Sequence, residues 1–176
     1  MVSYILASIV AVLVLVVDQF TKAYVAANFT LATSRDFIPG LIDLTYIHND
    51  GGAWGMLGGY TWILLSVTII IMLVCITLLL KYGSGDKLMF WAIMLVLSGG
   101  VGNMIDRIFR DGNVVDFLHL EFMPDFPVFN VADCAIVIGA GLLLLYYLLG
   151  TIKETREKRA QGKTEDAALG QDNAEI

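Results

Sequence analysis

The sequence predicts an all-α membrane protein, with four transmembrane helices and a small β-rich cradle on the outer (periplasmic or extracellular) face. Three observations lead there. Hydrophobic residues make up 57% of the 176-residue chain and charged residues 16%, with a mean hydropathy of +0.74; a soluble domain usually carries about 25% charged residues. So little polar surface cannot cover a water-exposed globule, and the solvent is lipid. Four stretches are long and apolar enough to cross about 30 Å of hydrocarbon. Two of the connections between them are long and hold strand-like patterns.

The first span, Met1 to Val17, is free of charge until Asp18 and continues as helix for some residues beyond. It lacks the basic leader of a cleaved signal peptide and three more spans follow it, so it reads as a retained anchor. Residues 28–59 come next. Within them LIDLTYIHND alternates in places, with β-branched and aromatic residues that suit short strands. GGAWGMLGG holds five glycines, which points to a sharp bend or to close approach by a ligand's backbone. The second span runs from Tyr60 to Leu80, and KYGSGDK links it to the third, Leu88 to Ile105. Residues 107–130 open on a turn, pass through the strand-like VVDFLHL and close with two prolines before the fourth span, about Val131 to Ile152. Residues 1–150 form one membrane domain; residues 151–176 are a charged, then acidic tail, read as a helix extension that frays into disorder. Ser98, Gly99, Gly100 and Gly102 in the third span, and Gly139, Ala140 and Gly141 in the fourth, mark places where helix backbones can touch.

Four spans place both termini on one side. Lys81, Lys87, Lys153, Arg156, Lys158, Arg159 and Lys163 share that side, against Lys22, Arg35, Arg107 and Arg110 on the other. The positive-inside rule then puts both termini in the cytoplasm. No basic stripe is present, so nucleic acid is not an expected partner. Cys75 and Cys134 each lie alone in an apolar run, without a Cys or His at metal-ligand spacing, and read as small buried side chains.

Charged groups near membrane depth are costly, about 2.5–3.5 kcal/mol each on insertion scales, and here they gather at the outer helix ends. GGVGNMIDR sets Asn103 and Arg107 four apart, on one helix face, with Asp106 on a neighbouring one. An interfacial Asp–Arg cluster is one reading of Asp106; Arg107 can hold a carboxylate bidentately. Asp116, in VVDF, has apolar neighbours on both sides. Asp133, in FNVAD, falls in the first turn of the fourth helix, with Asn130 as a possible N-cap. Taken singly, Asp133 can be an ordinary helix N-terminal charge and Asp116 a loop acid. Together they suggest more, because strand and turn can fold back and bring the two carboxyls together at the membrane surface. One then keeps a proton while the other ionises. One aspartate activates water against a peptide carbonyl and the other donates the proton. The helix macrodipole favours Asp133 as the ionised partner. His48 and His119 lie on separate outward segments and read as loop histidines, and no serine or metal-protease motif is present.

Five segments in order resemble the lipoprotein signal peptidases (signal peptidase II), bacterial aspartyl proteases: DQFTK, HNDGGAWG, GGVGNMIDR, VVDF and FNVAD. Gly52 is the one oddity in the second. The resemblance covers residues 1 to about 150 and leaves the tail outside. It implies catalytic Asp116 and Asp133, a site lined by Asn103, Arg107 and Asn130, and a substrate-holding loop with Asn49 and Gly51. Asp18 and Lys22 it places as a structural pair at the base of the outer sheet. It implies a prolipoprotein substrate, diacylglyceryl-modified on the cysteine that follows the cleavage site, and inhibition by globomycin-type lipopeptides. It also implies residence in the bacterial inner membrane and no metal or organic cofactor. The chain is expected to act as a monomer beside membrane lipid, although no sequence feature fixes its oligomeric state. Two rivals compete: a small proton-coupled transporter, which would carry mid-span acids or inverted repeats, and a non-enzymatic assembly factor, which would tolerate Asp116→Asn.

Overall fold

A computed structural model describes residues 1–83 and 85–172. It contains α1 (Val2–Asn28), β1 (Ser34–Ile38), β2 (Ile42–Asn49), α2 (Thr61–Tyr82), α3 (Lys87–Phe109), β3 (Val114–Leu120) and α4 (Val131–Asp172). All four helices are long and apolar enough to span a membrane; in α4 the qualifying stretch is Val131–Arg159. The outward faces of α1, α2 and α4 are rows of exposed Leu, Ile and Val, as lipid-facing helices require. The helices outrun their apolar cores. α1 continues past Val17 through Asp18 and Lys22, because the two charges pair i,i+4 inside the protein, at 2.9 Å and with no exposure of either side chain.

α3 is the central helix, packed against α4, α1 and α2. Asp86 starts it, its carboxylate accepting from the backbone N–H groups of Leu88 and Met89. Glycines let α3 approach its neighbours. A Cβ on Gly102 would fall 2.7 Å from Asp18 Oδ2 and 3.1 Å from Ala132 Cβ. A Cβ on Gly139 would fall 2.7 Å from the Ala92 carbonyl oxygen. Gly141, also in the small-residue run of α4, faces open space.

The three strands form one antiparallel sheet in the order β1-β2-β3. β2 and β3 coincide with the two strand-like patterns of the sequence; β1, exposed along its whole length, was not foreseen. Between Leu44↔Leu118 and Ile47↔Asp116 the register shifts by one residue, a β-bulge on β2. Both faces of β3 are covered. Val115 and Phe117 pack with Tyr46 and with Val25 of α1, while Val114, Asp116 and Leu120 face a cavity, as period-2 alternation demands. After β3 the chain turns back, and Phe129 pairs with Leu118 through N–H···O bonds of 2.8 and 3.0 Å. That pairing delivers Asn130 to the side of Asp116 and starts α4 at Val131, two residues before Asp133.

Candidate active site

The cavity lies where β3, the outer end of α3 and the first turns of α4 meet. It has a volume of about 540 Å³ and a mostly apolar wall that includes Leu120, Val128, Ile136 and Val137. Its polar groups converge from four elements: Asn49 from β2, Asn103 and Arg107 from α3, Asp116 from β3 and Asp133 from α4. An apolar cleft with a few convergent polar groups is the usual form of a small-molecule or peptide site.

Two asparagines tie the aspartates together. Asn130, fully buried, donates through Nδ2 to Asp116 Oδ1 at 2.6 Å and to Asn103 Oδ1 at 3.1 Å. Asn103 donates through its own Nδ2 to Asp133 Oδ1 at 2.7 Å. Asn130 and Asp133 also form a reciprocal N-terminal cap: the Asp133 N–H donates to Asn130 Oδ1 at 2.9 Å, and the Asn130 N–H donates to Asp133 Oδ2 at 3.1 Å. Asn49 completes the ring from the sheet side, Nδ2 to Asp116 Oδ2 at 2.8 Å. Its Oδ1 accepts from the Gly51 N–H at 3.0 Å and fixes the start of the glycine-rich loop. Gly51 and Asn130 therefore stand behind the cavity wall, while Asn49, Asn103, Arg107, Asp116 and Asp133 reach its surface.

Neither Asp116 nor Asp133 has a cation within salt-bridge distance among the described residues; each carboxylate receives two N–H bonds instead. Burial, reinforced by the nearby Asp133 charge, pushes the Asp116 carboxyl up to about 7, against the opposing pull of the Asn49 and Asn130 hydrogen bonds and of the Lys22 charge. Arg107 shares the cavity, and its buried Nε has no hydrogen-bond partner among the described residues.

Asp18 and Lys22 sit in a second, ion-paired cluster that also takes in Asp106. Lys22 Nζ lies 2.9 Å from Asp18 and 3.2 Å from Asp106, all three side chains fully buried. Asp18 accepts from the Ala132 N–H of α4 at 2.8 Å, Asp106 from the Val115 N–H of β3 at 3.0 Å and from Arg110 Nε at 3.2 Å. The cluster thus pins α1, α3, α4 and β3 to one another. Of the interfacial Asp–Arg cluster considered from sequence, the Asp106–Arg110 part forms, with Lys22 added to it, while Arg107 turns to the cavity.

Other residues occupy places that sequence patterns did not single out. Trp54, in a short 3-10 turn (Ala53–Gly55) of the glycine-rich loop, stacks edge-on against Phe126, which does the same against Phe129, so an aromatic row borders the cavity mouth. The signals for it were the Trp of GGAWG and the Phe repeats of residues 122–129. Cys134, read from sequence as a buried small side chain, is half-buried and lines the cavity. His48 bonds to the Tyr46 hydroxyl at 2.7 Å and His119 lies 3.7 Å from Asp43; neither lines the cavity. Asp36, Asp43 and Glu121 bring carboxylate oxygens within 4.8 Å of one another on the sheet, and none of them lines the cavity either.

Comparison with known proteins gives one answer. Residues 10–149 match the family model for signal peptidase (SPase) II. The chain is 38% identical over 151 residues to a lipoprotein signal peptidase of Lactococcus lactis subsp. cremoris, covering 86% of this chain and 97% of that protein. It is also 38% identical over 150 residues to a lipoprotein signal peptidase of Bacillus pumilus, covering 85% and 96%. A bacterial membrane enzyme solved by the in meso method superposes with a TM-score of 0.78 at 35% identity, over 86% of this chain and 90% of that one.

Proposed function

Because this chain belongs to the signal peptidase II family, multi-pass membrane peptidases of the aspartic type that process prolipoproteins, we propose that Asp116 and Asp133 are its catalytic pair. The observation that carries this reading is their joint placement on one apolar cavity, linked through Asn103 and Asn130 and without a cation of their own. A carboxyl titrating near 7 beside a second carboxylate suits shared-proton chemistry. Asp133, at a helix N-terminus, is the base; Asp116 is the acid. Asp133 takes a proton from water as the water attacks the scissile carbonyl, and Asp116 gives its proton to the developing oxyanion. On collapse Asp133 passes its proton to the leaving amine while Asp116 recovers one from the diol, which resets the pair.

The substrate is a diacylglyceryl-modified prolipoprotein, cut before the lipidated cysteine. The apolar wall suits acyl chains, and the lipid holds the scissile bond at the depth of the helix ends. Arg107, with Nε free, holds the substrate backbone, and the Asn49–Gly51 loop closes the site from the sheet side. Globomycin-type lipopeptides occupy the same cavity. One chain supplies every group of the site, so the enzyme works as a monomer. Residues 1–150 form the peptidase unit of the bacterial inner membrane, with both termini and the 151–176 tail in the cytoplasm. A gel-shift assay with lipidated and unlipidated forms of one prolipoprotein tests this reading. Cleavage confined to the lipidated form is expected; equal cleavage of both would remove the lipid from the recognition.

A further inference from the structure

The ion-paired cluster and the cavity meet at Asn103. Its Oδ1 accepts from Lys22 Nζ at 3.0 Å and from Asn130 Nδ2 at 3.1 Å, while its Nδ2 donates to Asp133 Oδ1 at 2.7 Å. The two ends of an asparagine amide are nearly equal in size, but one only accepts and the other only donates. An ammonium has donors alone. With Lys22 on one side, the oxygen must therefore face Lys22, and the NH2 end is left for Asp133. Lys22 cannot turn away, because Asp18 and Asp106 hold the same nitrogen at 2.9 and 3.2 Å in a fully buried pocket. Those two carboxylates are fixed in turn by the backbone N–H groups of Ala132 and Val115.

We infer that Lys22 is a positioning residue for the peptidase reaction, acting through Asn103 to keep a hydrogen-bond donor aimed at Asp133. This inference rests on the Asp116–Asp133 reading above and adds to it the device that decides which of the pair is ionised. Without the ammonium, the Asn103 oxygen keeps only the longer Asn130 hydrogen bond, and a turn of the amide becomes cheaper. Its oxygen then faces Asp133, which must hold the shared proton to form a hydrogen bond, and the base is lost. The cluster is thus more than a peg between helices.

Removing Lys22 alone leaves Asp18 without a cation and Asp106 with Arg110 only, so the test uses Asp18→Asn/Lys22→Met/Asp106→Asn, which removes the cluster's buried charges with side chains of similar volume. If that protein does not fold, Lys22→Gln/Asp106→Asn carries the same expectation, since glutamine both donates and accepts. Purified full-length protein in detergent is assayed with a diacylglyceryl-modified prolipoprotein, alongside thermal unfolding. The expected result is a roughly tenfold to hundredfold fall in kcat with KM held within about twofold. The same change made on an Asn103→Ala background should lower kcat no further. An undiminished kcat, or an equal loss on both backgrounds, would overturn the inference and leave Lys22 a fold residue.

A second readout needs no turnover. In infrared difference spectra, Asp116→Asn should remove the protonated-carboxyl stretch from the parent protein. In the neutralised protein Asp133→Asn should remove it instead, and a band that stays with Asp116 contradicts the inference. The two levels of failure separate cleanly. If Asp116→Asn and Asp133→Asn both retain turnover, the dyad reading falls. If both lose turnover while the neutralised protein keeps it, only the role of Lys22 falls.

Discussion

Two pairs of aspartates lie on either side of Asn103, and the protein treats them in opposite ways. Asp18 and Asp106 share one buried lysine, Asp106 also pairs with Arg110, and each receives a backbone N–H. Asp116 and Asp133 share a cavity, receive only amide hydrogen bonds and have no cation. A charge-matched buried pair has its partners satisfied and no reason to exchange a proton. An unmatched pair cannot ionise twice at low cost, so one proton stays between the two members. The matched pair serves the fold and the unmatched pair the proposed chemistry, although all four residues are the same amino acid within one small region.

The contrast is broken most severely from the matched side. Lys22→Ala leaves Asp18 without a cation and Asp106 with Arg110 alone, and should cost about 3–5 kcal/mol, seen as a large fall in thermal midpoint or loss of folded protein from the membrane. A variant that unfolds like the parent would show that the cluster is not holding the helices.

The unmatched side has a pH signature. The Asp116 carboxyl sits at about 7, above its ordinary value, so the folded protein keeps a proton that the unfolded chain releases. Stability should therefore fall as pH rises from about 4 to about 7, by up to about 4 kcal/mol. The Asp116→Asn variant should lack that contribution, and matched melting curves at pH 5 and pH 8 check it. The kcat/KM profile of the parent enzyme should decline above about pH 7 as the acid is lost.

Smaller effects sharpen the border between the two regions. Arg107→Lys keeps the charge but loses the planar fork, and kcat/KM should drop roughly tenfold; parental turnover would make Arg107 an interfacial anchor only. Gly102→Ala drives a methyl against Asp18 and should destabilise by about 1–3 kcal/mol. Gly141→Ala meets nothing and should be neutral or raise the melting point slightly.

The spans and two of the three strands were legible because a lipid solvent and a pleated sheet impose simple periods on a sequence. β1 was not, since SRDFI is exposed at every position and shows no inside–outside alternation. Asp106 shows a different limit. Its neighbour Arg107 suggested a local pair, yet adjacent residues on a helix point about 100° apart, and the actual partners are Arg110, one turn further on, and Lys22, from another helix. The approach of Asn49 to Asp116 likewise depends on a β-bulge between Leu44 and Ile47, which no alternation pattern records. The five motifs contain the polar residues gathered at and behind the cavity; the hydrogen bonds that give each asparagine its direction exist only in the folded chain.

The most direct test of the central contrast is a cleavage assay on lipidated prolipoprotein with purified parent protein, Asp116→Asn and Asp133→Asn, each checked for folding by thermal unfolding. The account predicts cleavage by the parent alone, a loss of about a thousandfold or more in each variant, and melting points close to the parent's at pH 5. Substantial turnover by either folded variant would contradict it and return both aspartates to the structural role that Asp18 and Asp106 hold.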